Sequence, residues 1–366
     1  MKKSIGILTW HKTINHGAIL QAYALQELLK SYGYSVIELD YDRETKKYNY
    51  TKIDRIKTVF KKLNINKIKI KMNQHVFLKI KKEKFDSFRK KYLNVGKYYY
   101  DDSNNIDVAI IGSDMVFDFF EGYNPFMYGK DVKANRIISY AACFGYTTID
   151  SFKNYNKKDE IIALLNSMHA ISYRDDNTGE ILNKCCGVNG KKVIDPVLLY
   201  GFPQEKEKWN HNKWNKVKYI LIYSYSYNMN SYSEVKKIKL FAKENNLKII
   251  SVGYDHPWCD EIVNADPCEF VELFSNATYI VTDTFHGTIF SLIFNKQFSV
   301  TIRDNAFKVL DILNDLNINP KLDMNIYEKL NDLKMKPLDY SKINCLIEKY
   351  RKDSLSFLKE NIENNK

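Results

Sequence analysis

The chain has 366 residues, 45% of them hydrophobic and 27% charged, with 14 glycines and 7 prolines. That suits a globular protein of two domains with real cores, and it leaves no place for a large low-complexity part. The net charge of +12 is lodged in one block: Lys46 to Lys91 holds 17 Lys or Arg against 3 acids, and no nucleic-acid motif accompanies it.

In chain order, Ser4 to Thr9 predicts a short apolar strand and Trp10 to Gly17 a polar loop. Ala18 to Tyr32 predicts a helix, with Ile19, Leu20, Tyr23, Leu25, Leu28 and Leu29 at helical spacing and Gly33 as its stop. Ser35 to Leu39 is the next strand, so the opening is strand–helix–strand and implies a parallel sheet. The basic block follows, with apolar residues from Ile53 to Ile70 among the cations. That pattern fits basic amphipathic helices, and it points to solvated faces or to an anionic membrane surface.

"IDVAIIGSD", "RIISYAACFG" and "HAISYRDD" read as strands ending at Asp114, Gly145 and Arg174. Asp159 to Ser167 and Thr178 to Lys184 read as helices, and "KVIDPVLL" closes the first half. Gly201 to Lys218, with Trp209 and Trp214 among polar residues, reads as a linker. The alternation then restarts with "KYILIYSYS", a helix over Tyr232 to Asn245, "LKIISVGY", helices over Glu269 to Asn276 and Phe307 to Leu316, and a last helix over Ile343 to Leu358. The expected division is a first domain over 1–204, carrying the basic insertion 46–91, and a second over 205–366.

After Lys3 the apolar run is only Ile5 to Leu8, so no signal peptide is expected, and no run reaches transmembrane length. Six cysteines show no zinc or CxxC spacing, which points to reduced thiols and a cytoplasmic location. No Walker loop or GxGxxG is present. Asp40-Tyr41-Asp42 has the DxD form of metal-dependent glycosyltransferases, a three-residue match too slight to predict a metal.

Ligands of open parallel sheets bind beyond the carboxyl ends of strands, and the polar residues of this chain gather there. Asn15, His16 and Gly17 follow the first strand, Ser113 and Asp114 another, Arg174 another, and Asp283, Thr284 and His286 another. In "YIVTDTFHGTIFSLIF" a strand hands over to a helix at His286-Gly287. A glycine there lets backbone approach a ligand, and free helix amides favour an anion. His286 can donate a proton near neutral pH. The plainer reading makes it a helix cap. Arg174 can grip a carboxylate or phosphate with two N–H groups, or merely pair with Asp175, Asp176 or Glu180. Asp114 suits a base or an N-cap.

"INHGAILQAYALQ", "IIGSDMVF", "ISYAACFG", "ISYRDDNTGEIL", "VIDPVLL" and "VTDTFHGTIFSLIF", in this order over residues 4 to 303, resemble the polysaccharide pyruvyl transferases. The resemblance implies an α/β, GT-B-like architecture of two Rossmann-like domains whose parallel sheets face a central cleft. It implies transfer of the pyruvyl group of phosphoenolpyruvate, with no cofactor or metal, to a sugar of a cell-surface polysaccharide or its precursor. A cyclic ketal forms and phosphate leaves. On the matching positions, Arg174 and His286 hold or protonate the donor, with Gly287, Thr288 and Thr284 beside them. Asp114, or less readily His16, takes the proton of the sugar hydroxyl, and Asn15, Gly17 and Gln21 line the acceptor side. Two motifs depart from the family: Met115 and Phe117 replace Gln and Trp, and Thr284 stands where well-studied members carry arginine, so that one donor-binding cation is missing or another basic residue such as Arg303 supplies it. The alternatives are a nucleotide-sugar glycosyltransferase with a base pocket near Tyr254 or Phe270, and a non-catalytic sugar-binding protein.

Overall fold

The structure is a computed structural model that describes residues 2–41, 65–120, 122–303 and 307–363, with the backbone alone for 65–75. In the first half, β1 (Ser4–Leu8), α1 (His16–Ser31), β2 (Ser35–Asp40), α2 (Ile65–Tyr92), β3 (Val95–Tyr98), β4 (Val108–Ile111) and β5 (Arg136–Ser139) give a five-stranded sheet ordered β3-β2-β1-β4-β5. Every neighbouring pair is parallel, and β1 is paired on both sides, Ile5 facing Val36 and Val108. A right-handed return is needed between parallel strands, and helices on both faces supply it. This is why Ile5, Ile7, Ile110 and Ile111 are all completely buried and why these strands read as continuous apolar runs. The half continues through α3 (Ile149–Lys153), α4 (Lys158–Asn166), β6 (Ser172–Tyr173), α5 (Asp176–Cys186), β7 (Lys191–Lys192), α6 (Pro196–Tyr200) and α7 (Glu205–Lys208). Single bridges at Ile138–Ala170 and Ala142–Tyr173 carry the sheet on to β6 and β7.

The second half repeats the plan. It comprises β8 (Tyr219–Tyr223), α8 (Tyr232–Glu244), β9 (Lys248–Val252), β10 (Glu261–Val263), α9 (Pro267–Asn276), β11 (Tyr279–Thr282), α10 (Phe285–Ile293), β12 (Gln297–Val300), α11 (Phe307–Asp315), α12 (Ile326–Met335) and α13 (Tyr340–Glu363). Its sheet runs β10-β9-β8-β11-β12, again parallel throughout, with the middle strand flanked as in the first half.

Three differences from the sequence reading position the site. The helix α1 begins at His16 rather than Ala18, because the Asn15 side chain caps it by accepting the Ala18 N–H at 3.2 Å. The stretch after Gly201 is pinned rather than loose: Trp209 and Trp214 are 2% and 3% exposed, and the Tyr23 hydroxyl donates to Glu205 at 2.7 Å. Much of the basic block lies outside the described residues, including the apolar positions from Ile53 to Leu63. Where α2 is described with side chains it packs on the second half: Phe85 is buried and Lys81 donates to the Gly253 carbonyl at 2.7 Å. No helix among the described residues is long and apolar enough to cross a membrane.

The last helix ties the halves together. At its middle the Tyr350 hydroxyl donates to the Asp315 carbonyl at 3.2 Å, Arg351 donates to the Leu198 carbonyl at 2.8 Å and Ser354 accepts the Ile194 N–H at 3.1 Å. At its end Lys3 donates to the Ile362 carbonyl at 2.6 Å.

Candidate active site

The carboxyl ends of both sheets open on one cavity of about 750 Å³, lined by Asn15, Asp114, Tyr146 and Arg174 from the first half and by Tyr225, Asp283, Thr284, His286, Arg303 and Lys308, among others, from the second. Each of these residues except Lys308 follows a strand end, as the geometry of parallel sheets requires.

Its floor is a cluster of charges around Asp195. The Arg174 side chain, 2% exposed, donates through Nη1 to Asp195 at 2.6 Å and through Nη2 to Asp114 at 2.9 Å. Gln21 accepts from the same Nη1 at 3.3 Å and from the Ser113 hydroxyl at 2.5 Å. Phe285 lies flat under the guanidinium, 4.6 Å from its centre. His286 Nε2 stands 3.7 Å from the same Asp195 oxygen, an ion-pair distance that is too long for a hydrogen bond. Asp195 caps α6 with its other oxygen, accepting the Val197 N–H at 2.9 Å. Burial would raise the Asp195 carboxyl, but His286 and Arg174 hold it below its ordinary value; burial likewise opposes and Arg174 outweighs it at Asp114. Both stay ionised, and the paired charges let a guanidinium lie in the interior.

Arg174 and His286, expected from the sequence, are thus brought together, and Asn15, Asp114 and Thr284 line the same cavity. Arg174 pairs with Asp195 and Asp114, not with its chain neighbours. Other expectations are corrected. His16 is 1% exposed, its Nε2 lies 3.0 Å from the Ala265 carbonyl and its ring stacks on Phe270 at 4.4 Å, so it is a core histidine and cannot reach a hydroxyl. Phe270, completely buried, offers no base pocket, whereas Tyr254 lines the cleft. Gln21 is 1% exposed and serves Arg174 instead of an acceptor. Gly17 makes room for the histidine: a Cβ there would stand 2.2 Å from His286 Nδ1. Gly287 makes room for Thr282, whose hydroxyl would be 2.1 Å from its Cβ, and its N–H is taken by the Thr284 cap at 2.9 Å. Thr288 is buried with its hydroxyl on the Thr284 carbonyl at 3.1 Å. The unspent amides at this helix start are therefore those of Phe285 and His286, not those after Gly287. Asp40 of the DxD stretch pairs with Lys12 at 2.5 Å, and Asp42 lies outside the described residues. No cluster of metal-ligating side chains occurs among the described residues.

Besides the tyrosines of the cleft other than Tyr254, two charged site residues escaped the sequence reading. Asp195 was legible as a cap, since Asp before Pro opens α6, but nothing local says which charges it meets. Lys308, whose Nζ lies 3.2 Å from the Met115 sulfur, comes from α11 and carries no strand-end signal.

Over residues 15–305 the sequence matches the family described as polysaccharide pyruvyl transferase. The chain belongs to that family. Among solved structures it is similar to a UDP-N-acetylglucosamine 2-epimerase, with a TM-score of 0.55 at 12% identity over 100% of this chain and 98% of that one. It is similar as well to the UDP-forming alpha,alpha-trehalose-phosphate synthase of Burkholderia xenovorans, with a TM-score of 0.52 at 8% identity over 100% and 99%. At such identities the likeness is one of fold, which is GT-B-like. No curated protein matches the chain.

Proposed function

We propose that this pyruvyl transferase family member moves the pyruvyl group of phosphoenolpyruvate onto a sugar of a cell-surface polysaccharide or its precursor, forming a cyclic ketal and releasing phosphate. The observation that carries the reading is the meeting of Arg174 and His286 on one buried carboxylate, Asp195, within a cleft of the family's fold. His286 gives a proton to the methylene carbon of the donor. A sugar hydroxyl forms a C–O bond at the central carbon while its proton passes toward Asp114, the bond to phosphate breaks, and a second hydroxyl closes the ketal as its proton leaves with the phosphate. Arg174 and the two free amides at the start of α10 hold the donor's anionic groups. Arg303 and Lys308, which line the same cleft, supply cations where Thr284 has none. Asp114, held below its ordinary pKa against burial by Arg174, is a weak base and a good hydrogen-bond acceptor for the entering hydroxyl. The reaction would run on the cytoplasmic side, where the basic segment 46–91 would meet an anionic surface bearing a lipid-linked acceptor.

A nucleotide-sugar transferase is the second reading, favoured by Thr284 and by the tyrosines of the cleft, Tyr254 among them. Titration calorimetry with phosphoenolpyruvate separates the two. The expected outcome is saturable binding that Arg174→Ala abolishes. Absence of binding to the unaltered protein would overturn the pyruvyl-transfer reading in favour of the second.

A further inference from the structure

The second half contributes an aromatic wall to the cleft. Tyr225 and Tyr227 follow β8 and stack on each other with ring centres 5.5 Å apart and 5° between planes, and Tyr254 leans on Tyr225 at 5.4 Å. All three line the cavity. Tyr227 is 76% exposed, so its face is offered to whatever enters. Tyr146 and Asp114 of the first half line the same cavity. Burial raises the Tyr225 and Tyr254 hydroxyls, which therefore stay neutral and able to donate.

Beside the wall lies a carboxylate, Asp283, acted on by Arg303 of the same cavity, a cation that is itself paired with Glu234. Asp283 is 8% exposed, and among the described residues it has no ion pair. Its Oδ2 accepts from Asn228 at 2.6 Å, while its buried Oδ1, next to Ser224 and the Tyr225 amide, forms no hydrogen bond within normal geometry. Burial pushes its pKa up. An under-satisfied carboxylate at a cavity wall costs free energy unless a ligand supplies a donor.

We infer that Tyr225, Tyr227, Asp283 and Asn228 form the subsite for the acceptor's pyranose ring, with its C–H face on the tyrosines and its hydroxyls given to Asp283. The assignment rests on the pyruvyl-transfer reading for calling this sugar the acceptor. Three observations favour a neutral sugar. Sugar hydroxyls are the donors that an acceptor-only carboxylate lacks. The same carboxylate repels a diphosphate, so a nucleotide stacked on this wall would meet the wrong charge. Three of the first-half residues expected on the acceptor side are spent, His16 in the core, Gln21 on Arg174 and Gly17 against His286, which leaves Asn15 and Asp114 in the cleft with no surface on which a ring can stack.

The test is saturation-transfer NMR with the methyl glycosides of glucose, galactose and N-acetylglucosamine, and with uridine diphosphate as competitor. The expected result is saturable binding of at least one glycoside, strongest at its ring C–H protons and untouched by uridine diphosphate. Tyr227→Ala, which removes an exposed ring and spares the core, should weaken it by about threefold to tenfold. Asp283→Asn should weaken it by about tenfold or more. Failure of every glycoside to bind, binding indifferent to both substitutions, or displacement by uridine diphosphate would each overturn the inference. Phosphoenolpyruvate titrated into the unaltered protein in the same buffer keeps the two readings apart: glycosides bound without phosphoenolpyruvate would sink the donor and leave the subsite standing.

Discussion

A methyl group on residue 17 would stand 2.2 Å from His286 Nδ1. The ring is the part free to move, so Gly17→Ala should push the imidazole off Asp195 while the helix α1 keeps its fold. Turnover should then fall as far as in His286→Ala, about 10²-fold or more, with unchanged far-ultraviolet circular dichroism. A Gly17→Ala protein at near-normal rate would deny His286 the role of proton donor. At this scale the sequence was informative where a side chain is forced outward by its place. Arg174, Asp114 and Asn15 end or follow strands, where the polar residues of a parallel sheet gather about the cleft. It was uninformative one step inside a helix: His16 and Gln21 look equally polar on paper, and which face of α1 is sealed depends on Phe270 and Arg174, hundreds of residues away for one of them and more than a hundred for the other.

Between elements, the start of α5 in the first half meets α11 of the second. Asp311 accepts the Asp176 N–H at 2.9 Å, and Lys192 joins Asp176 and Asp315, each at 2.8 Å. Burial first, then the Asp176 and Asp175 charges, raise the Asp311 carboxyl from 3.8 to about 6 against that amide and Lys192. The native state therefore holds a proton that the unfolded chain has lost. The resulting stability is complete below 3.8 and disappears as pH rises through about 6. Asp311→Asn keeps an oxygen for the amide and removes the charge. It should raise stability in urea at pH 7.5 by about 1 kcal/mol, allowing for solvent screening, and by progressively less toward pH 4. An equal gain at both pH values would contradict the assignment. Elements themselves were legible when buried on both faces, as β1, β4, β8 and β11 are, because parallel strands covered by helices become unbroken apolar runs. The edge strand β3 and the helix α7 were not: β3 is mostly exposed, and α7 is four residues long and fixed by Tyr23 through Glu205.

Over the whole molecule, α13 closes the structure by running from the second half back to Lys3 at the start of the first strand. It buries Ile343, Ile347, Phe357, Leu358 and Ile362. At about 1.5–3 kcal/mol for each such side chain, their loss is comparable with the entire stability of a domain. A chain ending after Asp339 should fail to accumulate as soluble protein. A soluble truncation with the full chain's melting temperature would show the strap to be dispensable. The two-halved plan could be read from the restart of the strand–helix alternation, whereas this return could not, since an amphipathic helix at the end of a sequence carries no address. The placement of His286 has a consequence for timing. Its carrier helix belongs to one half, and Asp195, Arg174 and Gly17 belong to the other, so the reacting group is assembled only while the halves are docked. Under the proposed mechanism, any swing of the halves that widened the cleft would also part His286 from Asp195 and so remove the proton donor. Water entering such an opened cleft would then find phosphoenolpyruvate without its acid, and the proposed donor would be spared hydrolysis until the halves met again.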